Sequence, residues 1–404
     1  MKRFLTCLLL PFMLLLLFPA CSVLKQDNLS ASDAADASNS EAASTGDSSD
    51  TNDSAKTSAT QVETTVGDTA EDRAEEILAT MSLDEKVGQM FFASWVQGDV
   101  NEAINKWKFG GIILFAPDFE NHTPSEVTQS IASYQESTKL PLLIGVDEEG
   151  GTVVRISKFS QFRAERFLSP QALFEQGGWE LIQADTIEKS QLLLSLGINV
   201  NLAPVCDVST NKSDFIYERS FGSGAEETSD YVTTVVEEMA LQNIGCSLKH
   251  FPGYGNNVDT HTGIALDNRS YETFEESDFL PFIAGIRAGT GSVMVSHNVV
   301  SCMDANYPAS LSPEVHRVLR EELGFDGVIM TDDLSMDAIS AYTGDDEAAV
   351  LAVLAGNDMI IGSAYEEQIP AVILAVQNGE IPMEVIDAAV LRILLWKIEM
   401  GLVD

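Results

Sequence analysis

Basic residues are scarce in this chain. Its 404 residues include 23 Lys and Arg against 62 Asp and Glu, so the formal net charge is −39. A chain of this charge repels nucleic-acid phosphates and offers no basic patches for contact with anionic lipid. The composition therefore argues against nucleic-acid binding and favours partners that are neutral or positively charged.

Cysteines are also few, and the common cofactor motifs are missing. Of five cysteines, Cys206, Cys246 and Cys302 remain if Cys7 is removed with a leader and Cys21 is lipidated. Three scattered cysteines do not make a disulfide framework. No CxxC, HExxH, GxGxxG or P-loop sequence occurs, so no metal site is indicated and no metal or organic cofactor is expected.

The first 20 residues have the pattern of a secretory signal. A basic start is followed by an apolar run rich in Leu, Phe and Pro. Cys21 comes next, as in the lipobox of bacterial lipoproteins, although Phe18 stands where leucine is usual. We expect a lipoprotein signal peptide at 1–20, lipidation of Cys21 and an extracytoplasmic, membrane-anchored protein. A simple signal peptide or an uncleaved anchor is the alternative.

Residues 21–74 are predicted to form a disordered tether. Ser, Ala, Asp and Thr dominate this stretch, and large apolar residues are almost absent. Such a segment cannot bury enough apolar surface to offset the entropy lost on folding. A tether of this kind would hold the folded domain away from the membrane.

Residues 75–404 are predicted to fold as one α/β domain, a (β/α)8 barrel of the TIM type. Eight short apolar runs, each followed by a longer amphipathic stretch, lie at 89–93, 111–115, 142–146, 198–203, 246–248, 292–295, 327–330 and 358–361. Continuous apolar runs suit parallel strands that are buried on both faces. A capping box at 82–85 predicts a helix start, and a helix at 385–400 closes the last repeat. A doubly wound open sheet is the alternative, but its GxGxxG fingerprint is absent.

Polar residues follow the predicted strands, at the edge where barrel enzymes form their active sites. The richest stretch is KHFPGYGNNVDTH at 249–261, which contains two of the chain's five histidines and comes directly after an apolar run. Five motifs in this order resemble those of glycoside hydrolase family 3, and within it the bacterial β-N-acetylhexosaminidases that act on cell-wall sugars. They are VDEEGG (146–151), LAPVCDV (202–208), RSFG (219–222), KHFPG (249–253) and TDDLSM (331–336).

The resemblance covers about residues 75–404 and implies an exo-acting, retaining β-N-acetylglucosaminidase. Its substrate would be a GlcNAc-containing oligosaccharide from peptidoglycan-type fragments. Alternatives are another family 3 β-glycosidase such as a β-glucosidase or β-xylosidase, a phosphorylase that uses the same residues, or a non-enzymatic sugar-binding surface lipoprotein.

The resemblance implies that Asp332 is the nucleophile. This residue directly follows the apolar run that ends at Thr331, so its carboxylate would be held in the barrel mouth. A retaining glycosidase needs a carboxylate against the anomeric carbon to form a covalent glycosyl-enzyme. Asp333 is then expected to be structural. Two solvated aspartates at a helix start are the alternative interpretation.

The implied acid/base group is His261, oriented by Asp259, in place of the second carboxylic acid that most retaining enzymes use. An imidazole titrates near neutral pH, so it can donate a proton to the leaving oxygen and later take one from water. A neighbouring carboxylate fixes its tautomer, and residues two apart in an extended stretch point the same way. A surface loop with an incidental Asp and His is the alternative.

Four more residues match family positions that hydrogen-bond the hydroxyls of the terminal sugar: Asp147, Arg219, Lys249 and His250. Charged groups suit this task because sugar hydroxyls lose water on binding and must find new partners. Asp207 is expected to be structural and to pair with an arginine, and His297 is left without a role.

Four positions depart from the family pattern. Tyr254 and Asn256 stand where His and Asp are usual, Glu148 where Gln is common, and Thr152 where Arg is common. We expect these changes to alter loop anchoring, the pH optimum or the subsite of the leaving sugar, not the reaction.

Overall fold

A computed structural model describes residues 69–257, 259–260, 263–340 and 342–403. The described chain begins with helix α1 (Ala70–Thr80), followed by α2 (Leu83–Gln89). The Ser82 hydroxyl accepts the backbone N–H of Glu85, and the Glu85 carboxylate accepts the backbone N–H of Ser82. The capping box predicted at 82–85 is confirmed.

Helix α1 corrects one predicted boundary. The same reciprocal arrangement joins Thr69 to Asp72, so the helix starts at Ala70. The predicted tether end at residue 74 is therefore too late, because residues 70–74 are helical. The rest of the predicted tether, the predicted signal peptide and Cys21 lie outside the described residues.

Eight parallel strands form the core of the fold. They are β1 (Phe91–Ser94), β2 (Gly111–Leu114), β3 (Leu143–Val146), β4 (Val200–Asn201), β5 (Gly245–Phe251), β7 (Ser292–Val295), β9 (Val328–Thr331) and β10 (Ile360–Gly362). From β1 to β9 each strand pairs with the next in this order, and β10 pairs with β1. Between β9 and β10, the Thr331 N–H donates to the Met359 carbonyl at 3.1 Å and the Leu334 N–H to the Ile361 carbonyl at 2.9 Å. The sheet thus closes into a barrel, as predicted.

The eight apolar runs of the sequence correspond one to one to these strands. All residues of the eight strands are buried, which explains why the runs are apolar without alternation. The largest differences are at β4, where only two residues pair, and at β5, which continues through Lys249 and His250. Two further strands, β6 (Leu266–Asp267) and β8 (Val299–Val300), pair in parallel in the loops above the barrel.

Helices cover the barrel. Those after α2 are α3 (Val100–Trp107), α4 (Pro117–Glu120), α5 (Pro124–Glu136), α6 (Pro170–Ser195), α7 (Ala225–Leu241), α8 (Tyr271–Thr273), α9 (Phe279–Arg287), α10 (Pro313–Arg317), α11 (Asp337–Ser340), α12 (Asp345–Ala355), α13 (Tyr365–Gln377) and α14 (Met383–Glu399). Single π-helical turns at Phe274–Asp278 and Val318–Glu322 and a 3-10 turn at Ala309–Leu311 complete the set. None of the helices in the described part of the chain is long and apolar enough to cross a bilayer.

Side chains fill the barrel interior. The Phe92 ring of β1 lies against β2 and β3 where both have glycine, and a Cβ on Gly145 would come within 2.5 Å of that ring. Gly111 has the same relation to Phe92, with a separation of 2.8 Å. These two glycines make room for one large aromatic side chain, in keeping with a packed barrel core.

Lys397 of α14 is a buried lysine below the barrel, remote from the strand ends that carry the polar residues. Its Nζ donates to Oε1 of Gln89 at 2.7 Å, and Gln89 Nε2 in turn donates to the carbonyls of Lys108 and Phe109. Burial lowers the pKa of Lys397 from 10.5 to about 7. The ammonium form is therefore disfavoured in the folded protein.

Lys397 should make stability depend on pH. Between pH 7 and pH 10 the unfolded chain binds more protons at this residue than the folded chain, so the free energy of unfolding should rise with pH, by up to about 1.4 kcal/mol per pH unit. Urea unfolding at several pH values should show this rise in the natural protein and in Lys139→Met, an exposed-lysine control. Lys397→Met should lack it. Parallel pH profiles for all three proteins would contradict the assignment.

Candidate active site

The carboxyl ends of the strands surround a cavity of about 790 Å³. Six of the predicted site residues line it: Asp147, Arg219, Lys249, His250, Asp259 and Asp332. They come from the loops after β3, β4 and β9, from β5 itself and from the loop that follows β5. Strand order alone explains this convergence, because parallel strands bring all their carboxyl ends to one face of the barrel.

Lys249 lies between two carboxylates. Its Nζ is 2.7 Å from Oδ1 of Asp147 and 2.7 Å from Oε1 of Glu149, and the side chain is 2% exposed. Burial lowers the pKa of Lys249, but the attraction of Asp147 and Glu149 is stronger, and the pKa is raised overall. The ammonium group is therefore charged at neutral pH and fixed in position.

Glu149 joins the two cations of the site. Its carboxylate accepts two hydrogen bonds from Arg219, from Nε at 3.1 Å and from Nη2 at 2.8 Å, in addition to the contact with Lys249. Burial raises the pKa of Glu149, but Arg219 and Lys249 outweigh this effect and hold the pKa far below its usual range. We did not select Glu149 from the sequence. The alternation of side chains after β3 was an available signal, since Asp147 and Glu149 are two residues apart.

His250 is held on both ring nitrogens. Nδ1 lies 2.8 Å from Oδ2 of Asp207, and Nε2 lies 3.1 Å from Nη2 of Arg219. A carboxylate accepts hydrogen bonds, so Nδ1 of a neutral ring bears the proton and Nε2 accepts from the guanidinium. The other Asp207 oxygen accepts the Tyr254 N–H at 2.7 Å. Asp207 is thus structural as expected, but its side-chain partner is His250 and the predicted pairing with an arginine is wrong.

Glu148 has a different role from its acidic neighbours. It is fully buried, and its carboxylate accepts backbone N–H groups of Arg155, Ile156 and Ser157 at 2.7–3.1 Å. Three such bonds satisfy a buried carboxylate and fix the loop after β3. Arg155 projects from this loop into the cavity wall, where its Nη2 lies 3.3 Å from Oδ2 of Asp147. We also missed Arg155, because nothing in its local sequence marks it.

Asp332 lies where the sequence predicts it, directly after β9. Its N–H donates to the Val295 carbonyl at 2.8 Å, and its Oδ1 accepts the Asp333 N–H at 2.8 Å. Asp333 is bound by hydroxyls instead. Ser94 donates to one of its oxygens at 2.8 Å and Ser335 to the other at 2.6 Å. Both residues line the cavity, and the two hydroxyl contacts of Asp333 are compatible with its expected structural role.

Asp259 lines the same cavity, whereas His261 lies outside the described residues. Thr260, the residue after Asp259, is fixed by a hydrogen bond: its Oγ1 lies 2.6 Å from the hydroxyl of the buried Tyr254. The Tyr254 ring also packs edge-on against His250, with centroids 5.1 Å apart. Tyr254, which stands where the family usually has His, thus contacts both His250 and Thr260, the residue after Asp259.

His297, which had no predicted role, is fully buried beneath the Asp333 segment. Its Nε2 lies 3.0 Å from the Asp333 carbonyl and its Nδ1 lies 2.7 Å from the Ser310 hydroxyl. The carbonyl can only accept, so Nε2 donates to it, and in a neutral ring Nδ1 accepts from Ser310. The histidine therefore supports the backbone beside Asp332.

The cavity combines two chemical elements. One is a cluster of mutually paired, buried or half-buried polar side chains, here called the charged cluster, that comprises Asp147, Glu149, Arg219, Lys249 and His250. The other is the carboxylate of Asp332, directly after β9. Donors and acceptors in fixed positions can bind a ligand with several hydroxyl groups, because they replace the water that those hydroxyls lose. A carboxylate in the same cavity can act as a nucleophile towards a carbon of that ligand.

Comparison with known proteins agrees with this chemistry. The family model described as the N-terminal domain of glycosyl hydrolase family 3 matches residues 82–395. A β-hexosaminidase of Tolumonas auensis is 33% identical over 278 residues, which cover 67% of this chain and 80% of that protein. β-Hexosaminidase A of Pseudoalteromonas piscicida is 32% identical over 284 residues, covering 65% of this chain.

The fold agrees as well. The structure of a family 3 β-N-acetylglucosaminidase from Paenibacillus sp. FPU-7 superposes with a TM-score of 0.74 at 33% identity, covering 80% of this chain. The chain spans 63% of that protein and 47% of the Pseudoalteromonas protein. The predicted family is confirmed, and the chain belongs to glycosyl hydrolase family 3.

Proposed function

We propose that the protein is an exo-acting, retaining β-N-acetylglucosaminidase that releases terminal GlcNAc. The observation that carries this proposal is the position of Asp332 in one cavity with the charged cluster. Its relatives support the sugar specificity, since the Tolumonas protein is named a β-hexosaminidase and the Paenibacillus structure a β-N-acetylglucosaminidase.

The charged cluster holds the terminal sugar. Lys249 and Arg219 donate to sugar hydroxyls, and Asp147 accepts from them. Because Glu149 keeps both cations charged and in place, these groups need little reorganisation when the sugar binds. Contacts to the hydroxyls that strengthen as the ring flattens lower the barrier to bond cleavage.

The reaction has two steps. In the first, the Asp332 carboxylate bonds to the anomeric carbon while the glycosidic bond breaks, and the imidazolium of His261 gives its proton to the leaving oxygen. In the second, neutral His261 takes a proton from water, the water oxygen bonds to the anomeric carbon, and the ester to Asp332 breaks. Retention of the β configuration follows from the two displacements.

The assignment of His261 is supported by the sequence and by its neighbour. The residue follows KHFPG in the same order as in the family, and Asp259, two residues earlier, lines the cavity. In this mechanism Asp259 accepts a hydrogen bond from the His261 ring and stabilises the imidazolium.

The natural substrate in this proposal is a GlcNAc-containing fragment of peptidoglycan, and the protein acts outside the cytoplasm on a lipid anchor at Cys21. The basic start, the apolar run before Cys21 and the polar stretch after it support this location. An anchored enzyme outside the cytoplasm encounters cell-wall fragments, which are rich in β-linked GlcNAc.

Hydrolysis of nitrophenyl glycosides tests the function. The protein should cleave the β-GlcNAc glycoside much faster than the β-glucose and β-xylose glycosides, without any need for phosphate. Asp332→Ala should abolish turnover, whereas Asp326→Ala, outside the cavity, should retain it. Preference for glucose or xylose, or a product phosphorylated at the anomeric carbon, would reject the proposal. Binding of GlcNAc without cleavage of any β-glycoside would identify a sugar-binding protein instead.

The dependence of kcat/KM on the leaving group tests the role of His261 as the acid. A poor leaving group needs the proton, so His261→Ala should lower kcat/KM for methyl β-GlcNAc by about 10²–10⁴-fold. The loss should be far smaller for a dinitrophenyl glycoside, whose oxygen leaves without protonation. His122→Ala, an exposed histidine away from the cavity, serves as the control. An equal loss for both substrates would show that His261 does not act as the acid.

Glu149→Gln tests the charged cluster. The substitution leaves Arg219 without its carboxylate partner, so we expect a rise in KM of at least about tenfold and a fall of about 3–5 kcal/mol in the free energy of unfolding at neutral pH. Because the folded pKa of Glu149 is lowered, its stabilisation is fully present above the ordinary pKa of Glu and is lost as pH falls through the folded value. The stability difference should therefore be constant above the ordinary pKa of Glu, about 4.3, and shrink progressively as the pH falls below it.

The matched control is Glu188→Gln, which removes an ion pair with Arg163 at the surface, where the Glu188 side chain is 56% exposed. Its effect on stability should be about 0–1 kcal/mol, with KM unchanged. Similar losses in the two variants would contradict the account of Glu149.

A further inference from the structure

One arginine outside the cavity joins distant parts of the chain that follows β5. Arg269 comes shortly after β6, and its side chain is 20% exposed. Its Nη2 donates to the Gly253 carbonyl at 3.0 Å and to Oδ2 of Asp267 at 2.8 Å. Its Nη1 donates to both carboxylate oxygens of Asp278, at 2.8 and 3.0 Å. One guanidinium thus connects the start of segment 253–267 to its end and to the π-helical turn that contains Asp278.

The two carboxylates that bind Arg269 are buried. Asp267 and Asp278 have side chains that are each 2% exposed, and both form salt bridges with this arginine at 2.8 Å. A buried carboxylate is costly unless it is paired, so the three groups depend on one another. Nε of Arg269 also donates to Asp267, so all three guanidinium nitrogens are engaged. A lysine carries its charge on a single nitrogen and could not reproduce this arrangement.

The backbone near the start of the segment makes room for this contact. Gly253 and Gly255 have φ values of 122° and 54°, in the region that favours glycine. A Cβ on Gly253 would lie 2.5 Å from Oδ1 of Asp278, and one on Gly255 would overlap the guanidinium carbon of Arg269. The guanidinium also lies over the Phe274 ring, 4.3 Å from its centroid. The arginine is therefore enclosed by the chain that it joins, unlike a surface ion pair.

The later end of the segment is also paired with the loop after β7. The Val299 N–H donates to the Ala265 carbonyl at 2.8 Å, and the Ser301 N–H donates to the Asp267 carbonyl at 2.9 Å. These bonds belong to the pairing of β6 with β8. Asp267 thus binds β8 through its backbone and Arg269 through its side chain, so the arginine connects this short sheet to Gly253.

Asp259 and His261 lie in the chain between the two points that Arg269 joins, Gly253 and Asp267. Asp259 lines the cavity, whereas Arg269 does not. Fixing both ends of a segment reduces the number of conformations that it can adopt. The guanidinium therefore restricts where the Asp259 carboxylate can lie, although it does not reach the cavity itself.

We propose that Arg269 is a positioning residue for proton transfer: by joining the two ends of segment 253–267, it sets the position of Asp259 and His261 at the cavity. The inference rests on the proposed function, because it takes these two residues to move the proton. Arg269 acts on the steps in which a proton is transferred. The charged cluster binds the terminal sugar without it, so loss of Arg269 should affect substrates according to their leaving groups.

Two leaving groups separate this role from a general loss of activity. Arg269→Lys keeps the positive charge but loses the planar fork that binds three partners. Its kcat/KM for methyl β-GlcNAc should fall about tenfold, a part of the roughly 10²–10⁴-fold that general acid catalysis supplies. Its kcat/KM for the dinitrophenyl glycoside should change by less than about twofold, because that leaving group needs no proton. Asp278→Asn removes one partner of the arginine and should shift the ratio of the two values in the same direction by a smaller factor.

Arg163→Lys is the matched control. Arg163 likewise donates to a carboxylate, that of Glu188, and to a backbone carbonyl, that of Glu165. Its guanidinium lies 4.2 Å from the centroid of the Phe167 ring, and the residue is outside the cavity. The substitution therefore removes a similar set of contacts, and it should leave the ratio of the two kcat/KM values unchanged.

Hydrogen exchange makes part of the test independent of turnover. The backbone amides of Val299 and Ser301, which donate to β6, should exchange faster in Arg269→Lys than in the natural protein, and at the natural rate in Arg163→Lys. Unchanged exchange in folded Arg269→Lys would overturn the proposal, because the arginine would then not hold the segment.

The kinetic outcomes are equally decisive. Equal losses for both glycosides in Arg269→Lys would show that the residue only supports the fold, and an unchanged ratio would show that its contacts do not position the acid/base pair. Either result overturns the proposal. If Arg269→Lys does not fold, the ratio in Asp278→Asn decides in the same way. Failure of the natural protein to cleave any GlcNAc glycoside would instead reject the proposed function, while the exchange rates would still show whether Arg269 holds the segment.

Discussion

The contact of the Lys249 ammonium with two carboxylates organises the site. A buried cation is costly unless it is paired, and Asp147 and Glu149 both lie 2.7 Å from its nitrogen. Glu149 in turn fixes Arg219, and Arg219 reaches His250. Each of these groups would be unfavourable alone in the barrel mouth. Together they form a set of fixed hydrogen-bond donors and acceptors, which in the proposed function hold the hydroxyls of the terminal sugar.

The barrel brings further side chains to the cavity that holds the charged cluster. Closure of the strands brings Asp332 after β9, Trp95 after β1 and Phe115 after β2 to the same cavity as the cluster. The Ser94 hydroxyl, at the end of β1, donates to Asp333 and so links β1 to the residue next to Asp332. The walls of the cavity thus differ in chemistry: one carries ion-paired side chains, one the Asp332 carboxylate and one the aromatic rings of Trp95 and Phe115.

Much of the fold could be predicted because its signals are local. A strand buried on both faces gives an apolar run, and all eight runs were visible in the sequence. The position of Asp332 followed from the run before it. Glu149 and Arg155 were missed because their roles depend on partners that the sequence does not place beside them, such as Arg219, 70 residues from Glu149. The Tyr254 anchor depends likewise on a contact through space with Thr260.

The central claim is that Asp332 forms a covalent bond to the anomeric carbon of GlcNAc. It is tested most directly by incubating the protein with a fluorinated GlcNAc glycoside that reacts quickly and is released slowly, followed by mass spectrometry of the digested protein. The account predicts one added fluorinated GlcNAc on the peptide that contains Asp332, located on that residue by fragmentation. Attachment to any other residue would contradict it.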